Sequence, residues 1–311
     1  MLPPFDELLF RREFRAAVDR EWARSSSHRS PAELRLLLDR YLERPARLVR
    51  PRVLWETAGW AGADASAAGA LSVATEALHV FALMHDDQID GDTDDRLSVI
   101  AGDFLYALGF GLLAETVTRC DLDPGIIATV RRVATATAVW QAHDAVFLEQ
   151  GGPEAGLAAL NELYDRKTGL YTFVAPLQIG AGAGGRSGSS LELLNAAGLC
   201  LGRAFQLRDD LTDVRRTLQR ETPPPAWELN LAHTWAEETG HPRGDTPERV
   251  HWVDMEELEA WGSRLIEAHL SEARRHLALL GSDGTTVPQR LHDLLAWLRN
   301  LIQPVLERNL S

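Results

Sequence analysis

Two short acidic runs carry the chemistry in this 311-residue chain, His85-Asp86-Asp87-Gln88-Ile89-Asp90 and Arg208-Asp209-Asp210-Leu211-Thr212-Asp213. In each, the first and last aspartates stand four residues apart, which on a helix places them on one face, about a turn from each other. Neighbouring carboxylates repel, and at a helix C-terminus they also oppose the macrodipole. The first run belongs to a crowd of six acids at positions 86–95: Asp86, Asp87, Asp90, Asp92, Asp94 and Asp95. A hard divalent cation resolves that conflict, because Mg2+ takes carboxylate oxygens and commonly shares them with substrate phosphates. Asp86, Asp87, Asp90, Asp209, Asp210 and Asp213 are the candidate metal-ligating residues. A calcium EF-hand is excluded: with Asp86 first in the loop, Gly91 falls correctly, but Leu97 occupies the place that needs a glutamate. Two such faces sharing cations imply one diphosphate between them, since Mg2+ stabilises the charge that develops as the C–O bond breaks. An apolar cavity between helices would hold a hydrocarbon tail and shelter a cation from water.

The elements that must position these residues read as helices from end to end. Apolar residues recur with helical spacing over 5–24, 32–43, 50–62, 68–90, 98–118, 124–150, 154–182, 189–219, 225–239, 254–279 and 287–309. The 68–90 stretch is apolar nearly all round, as befits a central helix. No stretch alternates with period two long enough to be a strand. The breaks at Gly151-Gly152-Pro153, 181–190, Pro223-Pro224-Pro225 and Gly240–Asp245 are short loops and not interdomain linkers. The glycine run at 181–190 is no phosphate cradle, because no strand precedes it and no GK[ST] follows. The pattern predicts an all-α fold in a single domain spanning residues 1–311, a bundle of about ten helices around a central apolar cavity.

Composition narrows the function classes. Hydrophobic residues make up 45% and charged residues 25%, ordinary globular values that exclude a disordered or fibrous chain. A formal charge of −13 disfavours binding to a phosphate backbone, so no nucleic-acid partner is expected. Cys120 and Cys200 sit on apolar stretches without partner spacing and read as small buried hydrophobes in a reducing compartment. The opening MLPPFDELLFRREF has early charges and no uninterrupted apolar core, unlike a signal peptide. No run of about 18 apolar residues lacks charge, so no membrane span is expected, and the location expected is cytoplasmic.

The chain resembles the trans-isoprenyl diphosphate synthase, or polyprenyl synthetase, family from roughly Arg47 to Asp213. Glu76-Ala-Leu-His79, then Phe81 to Asp90, looks like the family's ExxH plus first aspartate-rich motif. Ala101-Gly102-Asp103 matches the AGD that opens the next helix, Gln141-Ala-His-Asp144 resembles GQxxD without its glycine, and Lys167-Thr168-Gly169-Leu170 resembles KTAxL. Gly202 to Asp213 matches the second aspartate-rich motif in full. Each motif alone is weak; their order and spacing together are specific.

The resemblance implies an isoprenoid synthase-type helical bundle, a homodimer, Mg2+ as cofactor and an allylic prenyl diphosphate as substrate. It implies Asp86, Asp90 and Asp209 as Mg2+ ligands, with Asp87, Asp210 and Asp213 in supporting places. Lys167, the chain's sole lysine, would contact the allylic diphosphate, while Thr168 and Gln206 would place oxygens near the allylic cation. Gln141 and Asp144 are further substrate-binding candidates. The family's GKRxRP reads Ala46-Arg47-Leu48-Val49-Arg50-Pro51, and the arginine pair after the first motif is reduced to Arg96 with about a dozen residues missing before AGD. The cationic candidates for a second diphosphate are therefore Arg47, Arg50, His79 and Arg96. If they converge, isopentenyl diphosphate binds and the allylic chain is elongated. Phe81, five residues before Asp86, looks like a floor under the growing chain and implies a product of fifteen to twenty carbons. Trp55, Trp60 and Trp140 either line the cavity or pack. The alternatives are a class I terpene cyclase on the same scaffold, prenyl transfer to another acceptor, and a catalytically silent partner subunit.

Overall fold

In the computed structural model, twelve α-helices and one π-helix follow one another, with no strand among the described residues. Described are residues 2–303 apart from 28–29, 90, 92, 94, 151–155, 219–229, 242–251 and 282–283, and for 140–150 the helical backbone alone. The order is α1 (Glu7–Ser25), α2 (Ala32–Glu43), α3 (Val49–Ala61), α4 (Ala65–Ile89), α5 (Leu97–Arg119), α6 (Gly125–Gln150) and α7 (Leu157–Tyr164). A π-helix (Asp165–Val174) comes next, then α8 (Ala175–Ala183), α9 (Ser189–Thr217), α10 (Asn230–Thr239), α11 (Met255–Ala278) and α12 (Gln289–Ile302). The all-α expectation holds. The single helix expected over 154–182 is instead three segments, with ten residues wound as a π-helix between α7 and α8.

The chain divides into two compact units, Met1–Thr129 with Pro176–Ser187 and Val130–Ala175 with Gly188–Ser311. The first boundary falls inside α6, so no proline, glycine or polar linker marks it.

In the first unit, the Asp64 side chain caps α4 by accepting from the amides of Ser66 (2.8 Å) and Ala67 (3.1 Å). Val73, Ala77, Val80 and Met84 of α4 then share one core with Phe10, Phe14 and Val18 of α1, Leu37 and Leu38 of α2, and Ala101, Leu105 and Leu108 of α5. Close passage of α4 and α5 requires a missing side chain at Gly109, where a Cβ would lie 2.8 Å from Leu78 Cγ and 3.0 Å from the Ala74 carbonyl oxygen. By length and composition, α4 and α5 are each apolar enough to cross a membrane, with 56% and 39% of their most apolar windows buried in the fold. A core helix passes the same test, because one or two charges in a long apolar helix leave its mean hydropathy high.

The second unit is organised around α9. Leu194, Leu201, Leu207 and Leu211 on α9 and Leu258, Ile266, Leu270 and Leu277 on α11 are all buried. The Asp254 side chain caps α11 through the Glu257 amide at 3.1 Å.

The described cavity, about 1730 Å3, lies in the first unit, lined by the N-terminal segment, α1, Trp55, the start of α4 and the end of α5. None of the candidate site residues borders it. The lining residue on α4 nearest the first aspartate run is Val73, and at 1.5 Å per residue Asp86 is roughly 20 Å further along that helix. Trp55 lines this space and donates to the Pro3 carbonyl at 2.9 Å, whereas Trp60 packs under the Arg186 guanidinium at 4.9 Å. The Trp140 side chain lies outside the described residues.

Candidate active site

The first aspartate run ends α4. The buried side of α2 brings Tyr41 into the same core as Val80 and Met84, and its hydroxyl donates to Asp87 Oδ2 at 2.6 Å. Arg44 lies 3.9 Å from the centre of the Tyr41 ring and reaches the same oxygen at 2.7 Å. Burial, then the bond to Asp87, pushes the Tyr41 phenol up to about 12, so it stays a donor throughout the neutral range. Next to it, Gln88 accepts from the Ser98 hydroxyl at 2.9 Å, and Asp95 accepts from the Leu97 amide at 3.0 Å. Asp95 thus holds the first amide of α5 from just outside its N-cap, Arg96, a local structural role within the acidic crowd. Asp86 is half-buried, and Asp90 lies outside the described residues. AGD sits within α5 instead of opening it, and Gly102 has a local purpose: a Cβ there would lie 2.7 Å from His85 Cδ2. Phe81 is half-buried, its ring 4.6 Å from His85 and 5.1 Å from Tyr106, which in turn stacks 4.8 Å from Phe110.

Of the cationic candidates, Arg50 acts on both His79 and Glu76. Burial, then the Arg50 charge, holds the His79 imidazole well below its ordinary 6.5. Burial thus favours the neutral form of the His79 ring. Arg47 and Arg96 are exposed, one ahead of α3 and the other at the start of α5. Leu48, where GKRxRP has its first arginine, is buried in the core in the left-handed region, φ 49° and ψ 41°. That backbone costs about 1–2 kcal/mol for a non-glycine residue, offset by burying the side chain.

Glu76 is 3% exposed, and its Oε2 has no hydrogen-bond partner among the described residues. Burial raises its carboxyl to about 7 against the pull of Arg50 and Arg11. A raised carboxyl stabilises the fold fully below the unfolded value near 4.5, and that contribution is lost as pH rises to about 7. Glu76→Gln is expected to gain on the parent over that window, by roughly 3 kcal/mol above pH 7. Urea unfolding of both proteins at pH 5 and pH 8 checks this; equal differences at the two values would contradict it.

In the second unit, one face of α9 carries Gly198, Gly202, Gln206 and Asp210 at intervals of four, against the π-helix. A Cβ on Gly198 would lie 3.0 Å from the Val174 backbone, and one on Gly202 only 2.3 Å from Gly169 Cα. This approach lets Thr168, buried, donate its hydroxyl to Gln206 Oε1. Gln206 Nε2 donates onward to Asp210 Oδ1 at 2.7 Å, and Tyr164, last residue of α7, donates to Asp210 Oδ2 at 2.6 Å. Burial raises the Asp210 carboxyl, with Lys167 and the two donors opposing. Burial, then Asp210, also drives the Tyr164 phenol well above its usual value. Lys167 is exposed on the π-helix. Arg203 and Asp165 fasten the π-helix to α9 through a two-pronged pair at 2.7 and 2.6 Å. Asp209 is half-buried beside Arg208 at 2.5 Å, and Asp213 is exposed. The helical backbone carries Gln141 and Asp144 in α6, but their side chains lie outside the described residues.

Sequence reasoning did not single out Tyr41 and Tyr164. The signal that would have found them is their spacing: each stands 46 residues before the second aspartate of its motif.

Among the described residues, no group of three or more metal-ligating side chains gathers. The donors nonetheless fit a hard cation: Asp86 and Asp209 are half-buried carboxylates, and Mg2+ commonly uses one or two of these with water and substrate phosphate. Asp87 Oδ2, Asp209 Oδ1 and both oxygens of Asp210 also meet protein donors.

Comparison with known proteins places these motifs. At 28% identity over 269 residues, covering 74% of this chain and 71% of the relative, the chain is similar to (2E,6E)-farnesyl diphosphate synthase of Mycobacterium tuberculosis. It is 28% identical over 221 residues to geranylgeranyl diphosphate synthase of Cereibacter sphaeroides, covering 66% of this chain and 74% of that one. The fold superposes on a geranylgeranyl pyrophosphate synthetase from the archaeon Geoglobus acetivorans with a TM-score of 0.74 at 21% identity, covering 95% and 97% of the two chains. It also superposes on a polyprenyl synthase from Caulobacter crescentus complexed with calcium and isoprenyl diphosphate, TM-score 0.67 at 22% identity, covering 96% and 98%. The family profile described as polyprenyl synthetase matches residues 31–222, so this chain belongs to the polyprenyl synthetase family.

Proposed function

We propose that the protein is a Mg2+-dependent trans-prenyltransferase. In this reading it ionises an allylic prenyl diphosphate and condenses it with isopentenyl diphosphate to a product of fifteen to twenty carbons. The observation that carries the reading is the network in the second unit, where Tyr164, Thr168, Gln206 and Asp210 are joined by hydrogen bonds beside Lys167. The relatives named farnesyl and geranylgeranyl diphosphate synthases support the reaction class and product size. The calcium and isoprenyl diphosphate of the Caulobacter crescentus protein support a divalent cation and the ligand class.

Mg2+ at the aspartate motifs, with Asp86 and Asp90 as ligands in the first and Asp209 in the second, would supply Lewis-acid stabilisation of the departing diphosphate. Lys167 contacts that diphosphate as a point charge and stabilises its developing negative charge. Thr168 and Gln206, each fixed by the other, present oxygen dipoles to the allylic cation. Arg47, Arg50, Arg96 and the neutral His79 bind isopentenyl diphosphate, and Phe81, backed by Tyr106, limits chain growth. Gln141 and Asp144 complete the substrate-binding set. The protein works in the cytoplasm as a homodimer. Free Cys120 and Cys200 suit a reducing compartment, and exposed Val99, Ile100 and Tyr106 on α5 offer an apolar surface to a second copy.

One observation favours a second reading, a class I terpene cyclase that needs no isopentenyl diphosphate. Leu48 is a core side chain where the motif has an arginine, so one cation of that motif is absent. Both readings require ionisation. Diphosphate release from geranyl or farnesyl diphosphate is expected with Mg2+ and isopentenyl diphosphate present and none after chelation. Release that survives chelation would contradict both.

A further inference from the structure

The two aspartate motifs share a feature that their sequence pattern does not contain. In each unit, a buried tyrosine donates its hydroxyl to Oδ2 of the second aspartate, Tyr41 to Asp87 and Tyr164 to Asp210, both at 2.6 Å. The tyrosines are 6% and 1% exposed and come from different settings: Tyr41 near the end of α2, and Tyr164 at the junction of α7 with the π-helix. Core packing accounts for burying two rings. It does not account for both hydroxyls meeting a carboxylate oxygen of the corresponding residue at the charge-assisted distance.

Adjacent side chains on an α-helix point about 100° apart. Holding the second carboxylate against its tyrosine therefore turns it to the protein side and leaves the first, Asp86 or Asp209, on a different bearing. The two sites differ in how far this goes. Asp87 has Tyr41 and Arg44 on Oδ2, whereas Asp210 has Tyr164 on Oδ2 and Gln206 on Oδ1. Asp210 thus serves as an anchor between α9 and the π-helix.

We infer that Tyr41 and Tyr164 are positioning residues for divalent-cation binding, each fixing the second carboxylate of its motif so that the first is presented to the cation. The inference rests on the reading of Asp86 and Asp209 as cation-binding residues given above. Partners that orient metal-binding side chains typically cost 10- to 100-fold in metal affinity when removed. Phenylalanine keeps the ring and the packing and removes only the donor.

The test is titration calorimetry of the full-length protein with Mg2+ in the presence of inorganic pyrophosphate, with no turnover required. Tyr41→Phe, Tyr164→Phe, Asp86→Ala and Asp209→Ala are compared with the parent, each checked for helicity by circular dichroism. Each phenylalanine variant is expected to weaken apparent Mg2+ affinity about 10-fold or more. In assays of prenyl transfer, excess Mg2+ should restore their kcat, which a merely structural defect would not allow. A phenylalanine variant with a lowered melting temperature but the parental Mg2+ half-saturation overturns the inference, as does lost activity that excess Mg2+ does not restore. If instead both alanine variants bind Mg2+ and pyrophosphate as the parent does, the cation reading itself fails.

Discussion

Asp86→Ala and Asp209→Ala are each expected to lower kcat for prenyl transfer by on the order of 100- to 1000-fold while the helical fold survives. Both carboxylates are only half-buried, and neither takes part in the tyrosine bonds that hold the ends of α4 and α9. Removing either therefore costs charge stabilisation during ionisation, and little packing is lost with it. Steady-state kinetics at saturating Mg2+, alongside circular dichroism, measures both halves of the statement. Asp210→Ala should behave differently: it removes the acceptor for Tyr164 and Gln206 and leaves two buried donors, so the folded state suffers with the activity. Near-parental turnover in both Asp86→Ala and Asp209→Ala would refute their assignment.

Gly202→Ala is the second large effect. A Cβ at this position would stand 2.3 Å from Gly169 Cα and 2.8 Å from its amide nitrogen, and backbone cannot swing aside as a side-chain tip can. The π-helix must move away from α9, at a cost of about 1–3 kcal/mol or more. The shift also parts Thr168 from Gln206, whose bond depends on that approach. Thermal unfolding should show the lower midpoint, and activity should fall even at temperatures where the variant is folded. At Gly111, inside α5, where an added Cβ meets nothing within 4 Å, alanine should raise stability, by about 0.5–1 kcal/mol. Equal stability of Gly202→Ala and the parent would show that α9 and the π-helix do not depend on this contact.

Much of this was legible in the residues, for identifiable reasons. The face of α9 bearing Gly198, Gly202, Gln206 and Asp210 follows helical spacing, and the motifs in it name themselves. The π-helix was not legible, because a run of helix-compatible residues from 154 to 182 has no local mark for the wider turn; the bonding to α9, through Arg203 to Asp165 and Thr168 to Gln206, is tertiary. Tyr41 and Tyr164 were hidden for the same reason: a tyrosine on an apolar helix face reads as packing until its hydroxyl partner is seen. The burial that lowers the His79 imidazole is likewise not written in an ExxH pattern. The boundary between the two units was invisible because it falls within α6.

The most direct test of the proposed activity is a product analysis with and without isopentenyl diphosphate. Dimethylallyl, geranyl, farnesyl and geranylgeranyl diphosphate are each incubated with the protein and Mg2+, and the extracted products are separated by chain length. A prenyl diphosphate longer by five carbons, formed only when isopentenyl diphosphate is present and ending at fifteen to twenty carbons, is the predicted result. A hydrocarbon or alcohol formed equally well without isopentenyl diphosphate would contradict elongation and leave the cyclase reading in its place.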